Sequence, residues 1–496
     1  VALGFAEKLS MRTSTFGFWL VVLALLATGG CDGDGGGDSD AGSGDAGGVD
    51  GGPRDAGPLP TDAGLDAGQP DAGPACTSGC TWVELALGAE FSCARRENGE
   101  VRCWGRAQNG ELGDGLMRHR PGCPVAGGAD EDCSARPVRV ALPTADPAQS
   151  ISALGGLSAC AVDDEGDVWC WGAESFRIAD EPEGDRFAPE VFPGLTSIRQ
   201  VSESFLHICA VQNDGTPLCA GHSRAGQTGT GSRDPVLFPT RVVRRRPDDP
   251  AGMLPPVPLT GVVEIRTATA YGGFTCARTE SEVLCWGSDE AGQLGTGDET
   301  HGECVFERNR ANCSDVAVPL SGIDGARVRQ LSLGQAHACA LMTDGTVQCW
   351  GDNRGGQLGM GDTTQRTTPT EVPGLTGVRQ IAAGANHTCV LLAEGGVRCW
   401  GLNQVGQLGD GFTDHAMRCR LGTDIYDCSP LPVEVSGIDD GVVLGAGRNH
   451  TCVIRATQEV WCWGENDKLQ LGDGPDTRAL PTHRTPRYTP VMVIGL

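Results

Sequence analysis

Apolar and polar residues alternate along this chain in short runs broken by glycine, and no long stretch carries a helical period. The run ALMTDGTVQ between Cys339 and Cys349 is representative. It alternates on both sides of Thr343-Asp344-Gly345, which predicts two strands joined by a three-residue hairpin loop with glycine in the left-handed position. That loop sets Cys339 directly opposite Cys349. Directly opposed residues with no backbone hydrogen bonds between them have Cα atoms about 4.5 Å apart, a distance that a disulfide accepts.

The unit recurs. Pairs with the same or nearly the same spacing are Cys93 and Cys103, Cys160 and Cys170, Cys209 and Cys219, Cys276 and Cys285, Cys389 and Cys399, and Cys452 and Cys462. The loops at 97–99, 164–166, 213–215 and 393–395 also end in glycine, whereas Ala456-Thr457-Gln458 does not, and Cys276 to Cys285 is one residue shorter. Successive first cysteines lie 67, 49, 67, 63, 50 and 63 residues apart, so the period is about 50 and four units carry inserts. Seven repeats of short strands at this period predict an all-β fold, a seven-bladed β-propeller over residues 75–496. The rival reading of the cysteines is zinc, but gaps of nine or ten residues are unlike the short gaps of zinc-ligand pairs.

The two ends of the repeat region suggest how such a ring closes. Interior units are preceded by a strand such as PTEVPGL (369–375) or PVEVSGI (432–438), while the first, TWVELALGAEFSC, is not, and TPVMVIGL (489–496) is left over. The expectation is that this C-terminal strand completes the first blade and removes an exposed sheet edge.

Composition adds the setting. Net charge is −26, with 64 acidic against 38 basic residues, which argues against nucleic acid as a partner because phosphate contacts need clustered Lys and Arg. The 23 cysteines point to an oxidising compartment. Residues 1–30 read as a signal peptide whose true start is Met11: the apolar run Phe16–Ala27 has signal-peptide length and is too short to span a bilayer. It runs into ATGGC, which resembles the lipobox of bacterial lipoproteins, with Thr28 where leucine is usual. Cys31 is thus the expected acylated residue, and the expected location is a bacterial cell envelope, with the membrane engaged through the lipid alone. Residues 32–74 carry ten Asp and one Arg and repeat the triplet DAG. They have almost nothing to bury and read as a disordered, self-repelling tether that reaches about 40 Å.

The string C-W-G-x-N-x-x-G-Q-L-G, in CWGDNRGGQLG (349–359) and CWGLNQVGQLG (399–409), resembles the repeat of the regulator of chromosome condensation family. The resemblance returns in CWGSDEAGQLG (285–295) and, worn, in CWGRAQNGELG (103–113) and CWGENDKLQLG (462–472), while CWGAESFRIADEPE (170–183) lacks the G-Q-L-G turn and the third repeat reads CAGHSRAGQTG (219–229). It implies a seven-bladed propeller with the His of G-x-x-H packed inside each blade. His207, His337, His387 and His450 fill that place, and Phe91, Ser158 and Phe274 replace it. The repeated Trp104, Trp286, Trp350 and Trp400 read as blade packing. The family carries guanine-nucleotide exchange, ligase regulation and enzyme inhibition on one scaffold, so the resemblance implies a fold rather than one activity.

No G-x-S-x-G, HExxH or P-loop is present, and neither catalysis, nor a metal, nor a cofactor is expected. The expectation is a monomeric binding scaffold for a protein or glycan, with inhibition of a secreted enzyme as the alternative and nucleotide exchange or hydrolysis behind it. The inserts, at 116–137, 244–258, 300–316 and 415–432, are read as following the G-Q-L-G turn and crowding one rim. Three hold further cysteine pairs, Cys123 and Cys133, Cys304 and Cys313, and Cys419 and Cys428; with Cys76 and Cys80 paired and Cys31 acylated, every cysteine is assigned. The inserts also carry arginines, namely Arg118, Arg120, Arg244 to Arg246, Arg308, Arg310, Arg418 and Arg420, which mark this rim as the candidate binding face for an anionic partner.

Overall fold

The computed structural model describes residues 79–496 apart from 120–130, 144–146, 154–155, 174–184, 250–252, 270, 272, 298–300, 307–308 and 475–484. The predicted signal peptide, Cys31, the tether and Cys76 all lie outside the described residues.

One repeat shows how the local sequence makes a sheet. Val328–Leu333, His337–Met342, Val347–Gly351 and Arg366–Glu371 pair in chain order as four antiparallel strands. The second and third are joined by the predicted hairpin, with Gly345 at φ 81° and Cys339 opposite Cys349. Their disulfide has a Cα–Cα distance of 4.1 Å, and six further pairs (93–103, 160–170, 209–219, 276–285, 389–399 and 452–462) form the same bridge. Gly351 of the C-W-G string, at φ 97°, faces His337. A Cβ there would stand 2.5 Å from the Ala336 carbonyl oxygen, so the strand needs glycine at this point.

Among the described residues the strands form seven such sheets. Their first strands are Trp82–Leu87, Ser150–Ser152, Ile198–Glu203, Glu264–Thr267, Val328–Leu333, Val378–Ala383 and Gly441–Ala446. Each packs beside the next and the last packs beside the first, giving a closed propeller ring around a central cavity of about 360 Å³. Because consecutive strands are antiparallel, the turns after strands one and three emerge on one face. The second-to-third hairpins and the links to the next sheet emerge on the other.

The C-terminal strand does not complete the first sheet. Arg487–Met492 pairs with Val460–Gly464 of its own repeat, Val491 opposite Cys462. The P-x-x-V segments are outer strands that bond back to the preceding C-W-G strand, as Thr370 does to Cys349 and Val433 to Cys399, so each sheet is contiguous in sequence. The first sheet takes Cys133–Arg139 as its outer strand. Closure comes instead from side-by-side packing of Trp82, Leu87 and Trp104 with Ile454, Val460 and Val493. The backbone N–H of Trp82 also donates to Gln458 Oε1 at 2.7 Å. Gln458 holds the left-handed place at φ 71° in the hairpin loop that lacks glycine, a conformation that costs a non-glycine residue about 1–2 kcal/mol.

Buried hydrogen bonds join neighbouring sheets. In the G-Q-L-G turn the glutamine carbonyl accepts the indole N–H of the next sheet's tryptophan: Gln293 from Trp350 (2.9 Å), Gln357 from Trp400 (2.8 Å), Gln407 from Trp463 (3.0 Å), Gln470 from Trp104 (2.9 Å) and Gln227 from Trp286 (2.9 Å). Thr388 donates its hydroxyl to the same Gln357 carbonyl (2.9 Å) and lies 2.9 Å from Nε2 of His337, one sheet back. The hydroxyl proton is used on the carbonyl, so Nε2 carries the hydrogen it gives to Thr388. Ser92 links His450 to Gln470, and Thr275 links His207 to Gln227, in the same way. The histidines therefore lie between sheets rather than inside single blades. Burial pushes His337 down to about 4 and His207, His387 and His450 down to about 3, which keeps all four neutral at pH 7.

A second set of bonds runs between the first strands. Gln330 binds the N–H and C=O of Ile381 (3.1 and 2.9 Å), Gln380 those of Leu444 (2.9 and 2.8 Å) and Gln200 those of Ile265 (3.1 and 3.3 Å). Glu84 and Glu264 take this place in the first and fourth sheets and accept from Ile151 and Leu331.

Two outcomes follow for stability. Thr388→Val keeps the volume but strips His337 Nε2–H of its acceptor, and should lower the unfolding free energy by about 1–3 kcal/mol in denaturant titrations. Gln458→Ala should destabilise by about 1 kcal/mol more than Gln458→Gly, because both lose the bond to Trp82 and only glycine relieves the left-handed backbone. Equal losses would show that the loop is unstrained.

Candidate binding face

Two of the inserts are hairpins grown from the start of an outer strand. Glu303–Phe306 pairs with the beginning of Asn309–Pro319, and Arg418–Leu421 with the beginning of Asp424–Glu434. Disulfides Cys304–Cys313 and Cys419–Cys428 tie them at Cα–Cα 5.9 Å. Cys133, in the first-sheet insert, and Cys80 are also disulfide-bonded, while Cys123 lies outside the described residues. These three inserts share a face with the Gly-x-x-His turns.

Each is held down by a histidine that the sequence reading did not single out. His415 Nε2 lies 2.6 Å from Asp410 and Nδ1 2.7 Å from Asp427, the residue before Cys428. His119 repeats this with Asp114 (2.7 Å) and Asp132 (2.9 Å), the residue before Cys133. In the fourth sheet the same places hold His301, Thr296 and Asn312; the hydroxyl of Thr296 lies 2.6 Å from the ring, and the backbone N–H of His301 bonds Asn312. Burial of the His119 ring works against its charge, but hydrogen bonds to Asp114 and Asp132 override it and push the group up to about 9. His415 is raised by the same balance. An imidazole between two carboxylates thus fixes the base of the insert in the first and sixth sheets, and its titration is shifted opposite to that of the ring histidines. The signal was present in the sequence as Asp or Thr, four residues, His, and later Asp or Asn before Cys, repeated in three inserts. It is legible only after the inserts are aligned by their cysteines.

The insert at 244–258 is placed differently from the expectation. It follows the outer strand Val236–Arg241 rather than preceding it, and its short strands Val243–Arg244 and Val257–Pro258 extend the outer edge of the fourth sheet. A link from an outer strand to the next sheet starts on the opposite face, so the four inserts do not crowd one rim.

The cationic character of the rim is also reduced. Arg244 is paired with Glu282 (2.6 Å) in a second-to-third hairpin, and Arg418 with Asp414 (3.0 Å) and Asp427 (3.1 Å). Arg246 faces Asp248, and the Arg245 guanidinium lies 3.5 Å from His301. Arg118 and Arg420 are exposed. Arg120, Arg308 and the Arg310 side chain lie outside the described residues. The segments leading into the clamps expose apolar side chains instead, Met117 (74% exposed) and Phe412 (64%), with Leu116 at the place of Phe412 in the first insert, and Ile425 is exposed in the sixth-sheet hairpin. Exposed apolar side chains with scattered arginines on clamped, disulfide-tied inserts suit contact with another macromolecule.

The fold is a β-propeller, and parts of the chain match repeats of the regulator of chromosome condensation type. The family model described as Regulator of chromosome condensation (RCC1) repeat matches residues 280–341 and 344–391, and a second model of that repeat matches 82–111, 328–357, 378–407 and 443–470. The chain is 26% identical over 396 residues to the ultraviolet-B receptor UVR8 of Arabidopsis thaliana, covering 79% of this chain and 78% of the relative. To the mitochondrial RCC1 domain-containing protein RUG3 of the same plant it is 28% identical over 386 residues, covering 74% and 78%. Among solved structures it is similar to Prp20p from Saccharomyces cerevisiae, described with its binding properties to Gsp1p and histones, with a TM-score of 0.60, 20% identity and coverage of 83% and 87%. At that identity the likeness concerns the fold.

The clamp makes a signed pH prediction. The folded histidines titrate above the ordinary value of 6.5, so their contribution is complete below that pH and is lost as pH rises through the raised value, about 9 for His119. Trypsin cleavage after Arg418 and Arg420, read on reduced gels, should accelerate in the parent as the pH is raised above 7. In His415→Gln it should be fast already at pH 7. Equal protection of the variant and the parent at pH 7 would rule the clamp out.

Proposed function

We propose that this chain is a non-catalytic, monomeric propeller scaffold, held at a bacterial cell envelope by acylated Cys31, that binds a protein or glycan partner through the face carrying its clamped hairpins. One observation carries the reading: the hairpins of the fourth and sixth sheets are tied by their own disulfides and by a histidine at the base, yet none of their residues belongs to the apolar packing that closes the ring. Elements that the closing core does not use, and that are nevertheless tied down and flanked by exposed apolar side chains, are better matched to recognition than to stability. Protein binding by a propeller of this type has a precedent in Prp20p, described with Gsp1p and histones. The Asp-rich segment after Cys31 supports a role as a spacer that holds the propeller clear of the membrane. Inhibition of a secreted enzyme is one form that binding at this face could take.

The test shortens the hairpins of the fourth and sixth sheets to the connection found after Gly359 and compares melting temperature with partner recovery by cross-linking in intact envelopes. The expected outcome is a melting temperature within a few degrees of the parent and loss of the cross-linked partner. Unchanged cross-linking would move binding away from this face. Cys31→Ala should release a folded propeller from membranes, and equal retention would remove the lipid anchor. Acceleration of nucleotide release from a small GTPase by the purified propeller would overturn the non-catalytic assignment.

A further inference from the structure

The same face has a centre as well as a rim. The turns after the first strands ring the mouth of the cavity and are tied to one another: Gln335 N–H to Ala385 O (3.1 Å), Ala385 N–H to Arg448 O (2.9 Å), Arg448 N–H to Gly88 O (3.3 Å) and Ala89 N–H to Gly156 O (2.8 Å). In the fourth sheet this turn is three residues longer, spanning five positions (269–273) between Ala268 and Phe274 where Gly334 and His337 enclose two. Its described residues Thr269 and Tyr271 reach across the mouth to other sheets. The hydroxyl of Thr269 lies 2.7 Å from Leu333 O in the fifth sheet and 3.3 Å from Ala383 O in the sixth. Tyr271 lies against Phe205 of the third sheet, ring centroids 4.5 Å apart, and the Arg448 guanidinium of the seventh stands 5.9 Å from its centroid.

Tyr271 is nonetheless 53% exposed. A turn anchored to four other sheets thus holds an aromatic ring half in solvent, on the propeller axis. Around it stand half-buried amides. Gln335 and Asn386 make no side-chain hydrogen bond among the described residues, and Asn449 bonds Glu465 at a long 3.3 Å. The charges discriminate. Arg448 disfavours a cation on the ring, and the acidic cluster of Glu90, Glu465 and Asp467 beside Arg448 disfavours an anion, though burial pushes Glu465 up to about 7 so that it carries only part of a charge at neutral pH. What remains is a neutral ligand with an apolar C–H face to lie on Tyr271 and hydroxyl groups that both donate to and accept from amides.

We infer that the propeller mouth formed by Tyr271, Phe205, Arg448, Gln335 and Asn386 is a binding subsite for a neutral saccharide. The inference deepens the proposed binding role by naming its centre and ligand class, and it rests on that reading. Its test uses cellohexaose, chitohexaose and maltohexaose in turn with the full-length chain, binding being read by saturation-transfer NMR and competition. At least one should bind. Tyr271→Ala should weaken it by about tenfold, while Tyr271→Phe keeps it within a few-fold. All three proteins should melt alike, since the ring is half exposed. Binding of none of the three sugars, or equal binding by Tyr271→Ala, overturns the inference, as does preference for a sulfated heparin hexasaccharide. If no sugar binds but envelope cross-linking still depends on the hairpins, the subsite fails and the binding face stands. If hairpin dependence is also absent, the reading beneath it fails as well.

Discussion

Everything in this ring depends on one shared acceptor, the glutamine carbonyl of the G-Q-L-G turn. It takes an indole N–H from the next sheet, and at three described joints it also takes a hydroxyl that is itself bonded by a histidine from the sheet before. All of these groups are buried, so each joint is worth little more than a well-made hydrogen bond when complete and costs far more when one member is missing. That asymmetry explains the coupled appearance of Trp, Gln, Ser or Thr beside Cys, and His within a repeat. It also explains the tolerance for Phe91 and Phe274, which remove the polar partner altogether and fill the space with an aromatic ring.

A ring closed by lateral joints leaves its connections free to vary. The sheets are contiguous in sequence and are stapled internally by cross-strand disulfides, so an insertion at the third-to-fourth turn or after the outer strand disturbs no joint. The chain uses both places. Where the insert grows into a hairpin, its own disulfide and a bridging histidine hold it against the outer strand, so the added surface is as defined as the blades. Two histidine populations are driven apart by environment: burial without a carboxylate hydrogen bond pushes the ring set down, and paired carboxylates push His119 and His415 up.

The strong acidity of the chain does not give a simple surface rule. Many of the arginines that stood out by number are spent on local carboxylates, Arg244 on Glu282 and Arg418 on Asp427 among them. Steering by net charge therefore matters less at this face than the shape and chemistry of its hairpin tips and mouth.

The sequence by itself determined the repeat, the hairpin and the disulfide partner of each first cysteine, because a strand period of two and a short glycine loop leave one register in which they oppose. It also carried, unnoticed, the Arg-Gln pairs at 199–200, 329–330 and 379–380 whose glutamines bond the next first strand, and the histidines of the inserts. Their meaning depends on partners 50 or more residues away in the first case, as from Gln330 to Ile381, and on insert alignment in the second. Three things only the tertiary structure decided. The C-terminal strand belongs to the last sheet, because a P-x-x-V strand can in principle bond either neighbour and its register with the preceding C-W-G strand is what prevails. The insert at 244–258 lies beyond its outer strand, since loop length alone does not say on which side of a strand the extra residues fall. Tyr271 meets Phe205 of the third sheet and Arg448 of the seventh because five positions stand between Ala268 and Phe274 where Gly334 and His337 enclose two, a surplus whose destination loop length alone does not reveal.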